Sequence, residues 1–116
     1  MNKESLELVM ENEIAILKID DEIIFDNSNA FKEKSKKMLV NNDSNNLVLD
    51  LSQVPYIDSS GIGYILSLFK FIRSQGGRLV IANPNEKIKK VFEITKMTEV
   101  FQMYESVEKA VTEINS

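Results

Sequence analysis

Two short apolar runs, 47–51 (Leu-Val-Leu-Asp-Leu) and 78–82 (Arg-Leu-Val-Ile-Ala), bracket one helix-length segment. This arrangement limits the fold more than any other feature of the chain. Runs of five residues are too short for buried helices, and their near-continuous apolar content fits strands covered on both faces. Between them, 60–75 carries apolar residues at helical spacing and is stopped by Gly76-Gly77. Strand, helix and strand in that order call for a right-handed crossover and parallel pairing. A chain built around such a unit is α/β.

The flanks extend the same architecture. Leu6, Leu8 and Met10 fall on one side of a two-residue alternation, as in a half-buried strand. Glu11-Asn12-Glu13 reads as a turn, since Asn tolerates positive φ, and 14–19 as a second strand antiparallel to the first. Asp26-Asn27-Ser28 supplies N-cap candidates for a helix to Val40 with Phe31, Met38 and Leu39 inward, followed by a polar loop at 41–46. Further on, Asn83 as cap and Pro84 at the first helical position predict a helix with Ile88, Val91, Phe92 and Thr95 inward. A short strand near 100–104 and a helix over 106–114, with Val107, Ala110, Val111 and Ile114 inward, complete the pattern. The expected order is ββαβαβαβα. It describes a single α/β domain over 1–116, with a mixed, mostly parallel sheet packed with helices.

Composition removes whole classes of chemistry. With 116 residues the chain has room for one core. It has no His and no Cys, so Ser-His-Asp hydrolysis, Cys-His catalysis, phosphohistidine relays, disulfides and thiolate zinc sites are all excluded. The acidic residues show no metal-ligand spacing, and no enzymatic activity, metal or cofactor is expected. A net charge of −4 argues against direct DNA binding, which needs a basic face, and the basic run from Lys32 to Lys37 reads as a solvated helix face. No apolar run approaches the ~20 residues that span a bilayer. The opening residues 1–5 lack a signal peptide's apolar stretch, so no membrane association and a cytoplasmic location are expected.

The junction between the first apolar run and the central helix, Tyr56-Ile57-Asp58-Ser59-Ser60-Gly61-Ile62-Gly63, is the candidate site. A hydroxyl there stands at a helix N-terminus, where free N–H groups and the positive dipole end favour an oxygen anion. Ser60 is the candidate N-cap, and Asp58 a candidate loop cap. Gly61 and Gly63 either permit close packing of helix on sheet or leave room for a partner's backbone. Along the helix, Ile62, Ile65, Leu66, Phe69 and Ile72 form one stripe, while Tyr64, Leu68 and Phe71 form a second, offset one. A neighbouring helix burying the second stripe is the expectation, with a partner surface as the alternative.

Residues 47–52 together with Asp58-Ser59-Ser60-Gly61-Ile62-Gly63 resemble the anti-sigma factor antagonists (anti-anti-sigma factors) of the STAS domain family. Gly76-Gly77-Arg78-Leu79-Val80-Ile81 and Lys90-Val91-Phe92-Glu93-Ile94-Thr95 resemble that family's next strand and helix, so the likeness runs over residues 4–113. It implies partner switching. Ser59 would be phosphorylated by a partner that is both anti-sigma factor and serine kinase, built on a histidine-kinase-like ATPase fold that carries the ATP. The unmodified chain would bind this partner and release a sigma factor, and a metal-dependent serine phosphatase would reset the phosphorylated form. The partner-binding residues implied are Asp58, Ser59, Ser60, Gly61, Ile62, Gly63 and Asp26.

The pattern is not followed throughout. Family members commonly read Gly-x-Leu/Ile-Asp after the second strand, where this chain reads Asp21-Glu22-Ile23-Ile24 with an acid only at Asp26. The glycine often found after the helix ending at Thr95 is here Lys96. One rival reading keeps the fold as a non-phosphorylated STAS adaptor subunit of a lipid-transport or stress-signalling complex. A remote rival is a receiver-like phospho-Asp module using Asp20, Asp21 and Asp50. The 28 residues between Asp21 and Asp50 leave room for one helix, fewer elements than a receiver places there.

Overall fold

The two apolar runs become neighbouring parallel strands at the centre of a five-stranded sheet. The structure, a computed structural model, describes residues 5–41 and 45–116; positions 1–4 and 42–44, the latter within the expected polar loop, lie outside the described residues. In chain order the elements are β1 (Leu6–Glu11), β2 (Ile14–Ile19), α1 (Phe25–Val40), β3 (Leu47–Asp50), α2 (Ser59–Ser74), β4 (Leu79–Ala82), α3 (Glu86–Ile94), a 3₁₀ turn (Met97–Glu99), β5 (Met103–Tyr104) and α4 (Val107–Asn115). The sheet runs β1-β2-β3-β4-β5. Its β1–β2 pair is antiparallel and the remaining pairs are parallel, as the sequence pattern predicts. The hairpin turn takes Asn12 and Glu13 into left-handed backbone, with φ of 52° and 67°, which suits the twist of a two-residue loop.

Strand register sorts the core into two layers. Leu17, Leu49 and Ile81 align across β2, β3 and β4 and pack with residues of α1, α2 and α3. Their neighbours Ile16, Val48 and Val80 face the other way and are covered by Ala110 and Val111 of α4. Both faces of β3 and β4 are buried, which is why the sequence shows no polar alternation there.

Burial decides the role of the offset stripe on α2. Tyr64 is 2% exposed and Leu68 fully buried, with Phe71 half-buried, because α1 lies along this side of the helix. Phe31 of α1 meets Tyr64 with ring centroids 6.2 Å apart, and the Ser35 and Tyr64 hydroxyls lie 2.7 Å apart. Ser35, which periodicity did not single out, thus gives the buried phenol the partner it needs. Burial pushes the Tyr64 phenol well above its ordinary pKa, and the hydrogen bond to Ser35 offsets part of this.

Several element ends differ from expectation, each for a local reason. Helix α1 starts at Phe25, so Asp26, Asn27 and Ser28 lie inside its first turn rather than ahead of it. Asn27 still helps, its side-chain oxygen accepting from the Ile24 N–H at 2.9 Å. The cap of α3 is Asn85, which accepts from the Ile88 N–H at 2.9 Å; Asn83 instead takes left-handed backbone at φ 61° and Pro84 precedes the helix. Thr95 is exposed rather than inward, its hydroxyl donating to the Val91 carbonyl at 2.7 Å. The fifth strand is cut to two residues because the chain first forms the 3₁₀ turn and buries Phe101 against Phe69 and Phe92.

Lys96 stands at the left-handed position just past α3, with φ 63°. A side chain there costs roughly 1–2 kcal/mol that glycine avoids. Lys96→Gly is expected to raise unfolding free energy by about 0.5–1 kcal/mol in urea titrations, glycine's own entropy cancelling part of the gain. Leu68→Ala is expected to lower it by about 2–5 kcal/mol, as a core cavity does. A partner-surface role for this stripe would leave the transition midpoint of Leu68→Ala unmoved.

Candidate functional site

The segment after β3 is pinned before it reaches the helix. Val54 and Ile57 are buried, and Ile57 pairs with Ile23 in an isolated parallel bridge. The Ile23 N–H donates to the Tyr56 carbonyl at 3.1 Å and the Asp58 N–H to the Ile23 carbonyl at 3.2 Å. This bridge brings the start of α1 beside the start of α2.

Asp58 joins them. It is the N-cap of α2, with Oδ1 accepting from the N–H groups of Ser60 at 2.8 Å and Gly61 at 3.2 Å. Its other oxygen, Oδ2, accepts from the N–H of Phe25, the first residue of α1, at 3.1 Å. One carboxylate therefore faces the positive ends of two helices and satisfies three N–H groups that have no partner inside their own helices. The cap is thus Asp58 and not Ser60, which sits one residue into the first turn and donates its backbone N–H to Asp58. Sequence alone did not favour Asp58 as helix cap, because the second interaction that commits it comes from a residue 33 positions away.

The remaining candidates separate by exposure. Ser59, the first residue of α2, is exposed and its hydroxyl makes no hydrogen bond among the described residues. Asp26 is exposed in the first turn of α1, one residue from the Asp58 contact. Gly61 is buried, and a Cβ there would lie 2.6 Å from the Ile23 carbonyl oxygen and 2.8 Å from Ile57 Cβ. It lets α2 press onto the Ile23–Ile57 bridge. Gly63 is exposed, and an added Cβ would meet nothing within 4 Å. Ile62 is buried in the main core. Two exposed aromatic side chains flank this end of the molecule: Tyr56, 45% exposed, which opens the candidate segment, and Phe25, 79% exposed, which sequence reasoning did not select. Phe25 follows Ile23-Ile24 and so reads as the end of an apolar core run.

Asp50, the receiver-like acid, is buried at the end of β3, where Oδ1 accepts from the Ser52 N–H at 3.0 Å and Asn83 Nδ2 at 3.2 Å. It ties two loops together. Among the described residues no group of acidic side chains is arranged to hold a metal ion, and no helix is long and apolar enough to cross a membrane.

Asp58→Ala is expected to cost about 1–3 kcal/mol in urea unfolding, since the Ser60 and Phe25 N–H groups lose their acceptor while Gly61 keeps only its 2.9 Å bond to the backbone carbonyl of residue 58. Asp58→Asn keeps an oxygen for the α2 cap and is expected to lose about half as much. Equal stability of all three proteins would show that the capping network contributes nothing.

Comparison with known proteins agrees with this architecture. The STAS domain profile matches residues 5–110. A Thermotoga maritima protein provisionally named an anti-sigma factor antagonist is 30% identical over 103 residues, covering 89% of this chain and 91% of that protein. An anti-sigma F factor antagonist of Paenibacillus polymyxa is 22% identical over 112 residues, 95% of this chain and 96% of its own. Among solved structures, the Thermotoga maritima protein superposes with a TM-score of 0.89 at 28% identity, covering 96% of this chain and 95% of that one. The anti-sigma factor antagonist SpoIIAA in its unphosphorylated form has the same fold, with a TM-score of 0.79 at 19% identity over 95% of this chain and 96% of its own. This fold, with its antiparallel edge hairpin, displaces the receiver-like reading. The chain belongs to the STAS domain family and, within it, to the anti-sigma factor antagonists.

Proposed function

We propose that this protein works by partner switching, with Ser59 as an electrostatic gate on a docking surface. Unmodified, it binds an anti-sigma factor that is also a serine kinase of histidine-kinase-like ATPase fold, and so releases a sigma factor. The kinase phosphorylates Ser59 with its own ATP, the modified chain no longer docks, and a metal-dependent serine phosphatase removes the phosphate. The chain is a binding module in this scheme, not a catalyst.

The observation that carries the proposal is the state of the groups around Ser59. Its hydroxyl is exposed and unengaged, while the adjacent Asp58 carboxylate already binds the N–H groups of Ser60, Gly61 and Phe25 with its two oxygens. A phosphate at Ser59 adds about −1.5 to −2 charge, and the Ser60 and Gly61 N–H groups that would help hold an anion at this helix start are already bonded to Asp58. Its charge stands beside a carboxylate on the docking face. Desolvating that pair against a partner costs several kcal/mol, and each 1.4 kcal/mol is tenfold in affinity. Asp26, Asp58, Ser59, Ser60 and Gly63 form the contact region, with Gly61 and Ile62 holding it from beneath. The exposed rings of Phe25 and Tyr56 supply the apolar anchors such interfaces favour.

Incubation with the cognate kinase and Mg-ATP is expected to modify Ser59, read by mass spectrometry of tryptic peptides. Modification that persists in Ser59→Ala would refute the assignment. In calorimetric titrations with ADP present, Ser59→Ala is expected to bind the anti-sigma factor like the parent protein. Ser59→Asp is expected to bind at least about tenfold more weakly, and the enzymatically phosphorylated protein more weakly still. Both variants should unfold within about 1 kcal/mol of the parent, because the position is exposed. Equal affinity of the Ala and phosphorylated forms would rule out the gate.

A further inference from the structure

A groove runs between α1 and α2, starting beside Ser60 at the helix junction, and its charge is opposite to that of the chain. Lys32 and Lys36 stand on the α1 side and Lys70 on the α2 side, with Gly63, Leu66 and Phe71 between them. Two adjoining depressions form it, sharing Gly63 and Ser67, with Phe25 at the end next to Asp58. No Asp or Glu lines either one, in a protein with 18 acidic and 14 basic residues. Lys32 and Lys70 make no ion pair among the described residues, and Lys36 lies over the Phe71 ring, 6.0 Å from its centroid. Gly63 leaves the floor open, since a Cβ there would meet nothing within 4 Å.

We infer that this groove docks an acidic, amphipathic segment of a protein partner. The partner of the preceding section is the first candidate to supply it, and to that extent the inference rests on that reading. The lysines match carboxylates and the Leu66–Phe71 floor matches an apolar side, so the complementary ligand has both. From Phe25 to Lys36 the groove follows eleven residue steps of helix, about 16 Å, the length of three helical turns. A net charge of −4 and only three lining lysines fit a short acidic peptide better than a nucleic acid, which rewards an extended basic surface. The groove would then fix which partner docks, while Ser59 fixes whether it stays.

The test uses the full chain labelled with ¹⁵N and a synthetic helix of about 15 residues with Leu on one face and Glu on the other. Its counterpart with Lys in place of Glu, and vesicles rich in phosphatidylserine, are the comparison arms. The expected result is amide shifts confined to 25–36 and 60–71 with the acidic peptide alone, fading as salt rises through the range that screens surface charge. The triple variant K32E/K36E/K70E should weaken binding by about tenfold or more. Gly63→Leu, which replaces a helix-interior glycine and so keeps the fold, should block the floor and weaken binding as well. Equal binding of acidic and basic peptides, shifts elsewhere, unchanged affinity in both variants, or capture by vesicles without peptide binding would each overturn the inference. Ser59 phosphorylation by a cognate kinase whose binding the lysine variant does not alter would overturn the groove and leave the gate standing. Acidic-peptide binding in a chain that no kinase modifies would do the reverse.

Discussion

The Asp58 carboxylate holds together the part of the molecule on which everything else at this end depends. Helices α1 and α2 start 34 residues apart in sequence, at Phe25 and Ser59, and both leave N–H groups without helical partners facing the same small space. A single neutral cap could satisfy one of them. A carboxylate has two oxygens, and here each serves a different helix. The positive ends of the two helices would otherwise repel each other, so the negative charge between them also removes a reason for α1 and α2 to splay.

Gly61 makes the same junction possible from below. Any side chain there would strike the Ile23 carbonyl and Ile57, so α2 would have to lift off the bridge between 23 and 57. With α2 lowered and α1 drawn alongside by Asp58, the Tyr64–Leu68 stripe meets Phe31 and Ser35 and becomes core. A cap and a glycine thus set the depth at which two helices pack, and the core between them follows.

The order of elements, the hairpin and the parallel sheet were legible because periodicity reports burial directly. Continuous apolar runs at 47–51 and 78–82 could only be strands covered on both sides, and the structure covers them so. Local chemistry was legible less often. Asn83 and Asn85 are both good caps by residue type, and the choice fell to Asn85 because Asn83 is drawn to Asp50 across the sheet end. Asp58 and Ser60 posed the same ambiguity, resolved by the N–H of Phe25. Lys96 broke a family habit without breaking the turn, because the left-handed backbone is costly for lysine but not forbidden. The caps at Asn85 and Asp58 were decided by contacts between residues distant in sequence, which no local pattern carries.

The same geometry explains why a modification at Ser59 need not refold anything. A phosphate placed at a helix start with free donors would be drawn in and would reorganise the first turn. Here the donors of Ser60, Gly61 and Phe25 are already bonded at 2.8–3.2 Å to a carboxylate that would have to be displaced. Displacing it would uncap two helices at once. The cheaper outcome keeps the backbone fixed and leaves the new charge on the surface, where only a partner meets it. A capping network that stabilises the fold would therefore also isolate the fold from the proposed switch at Ser59. The two roles, one observed and one proposed, fall on adjacent residues, with Asp58 turned inward to the helices and Ser59 exposed to solvent.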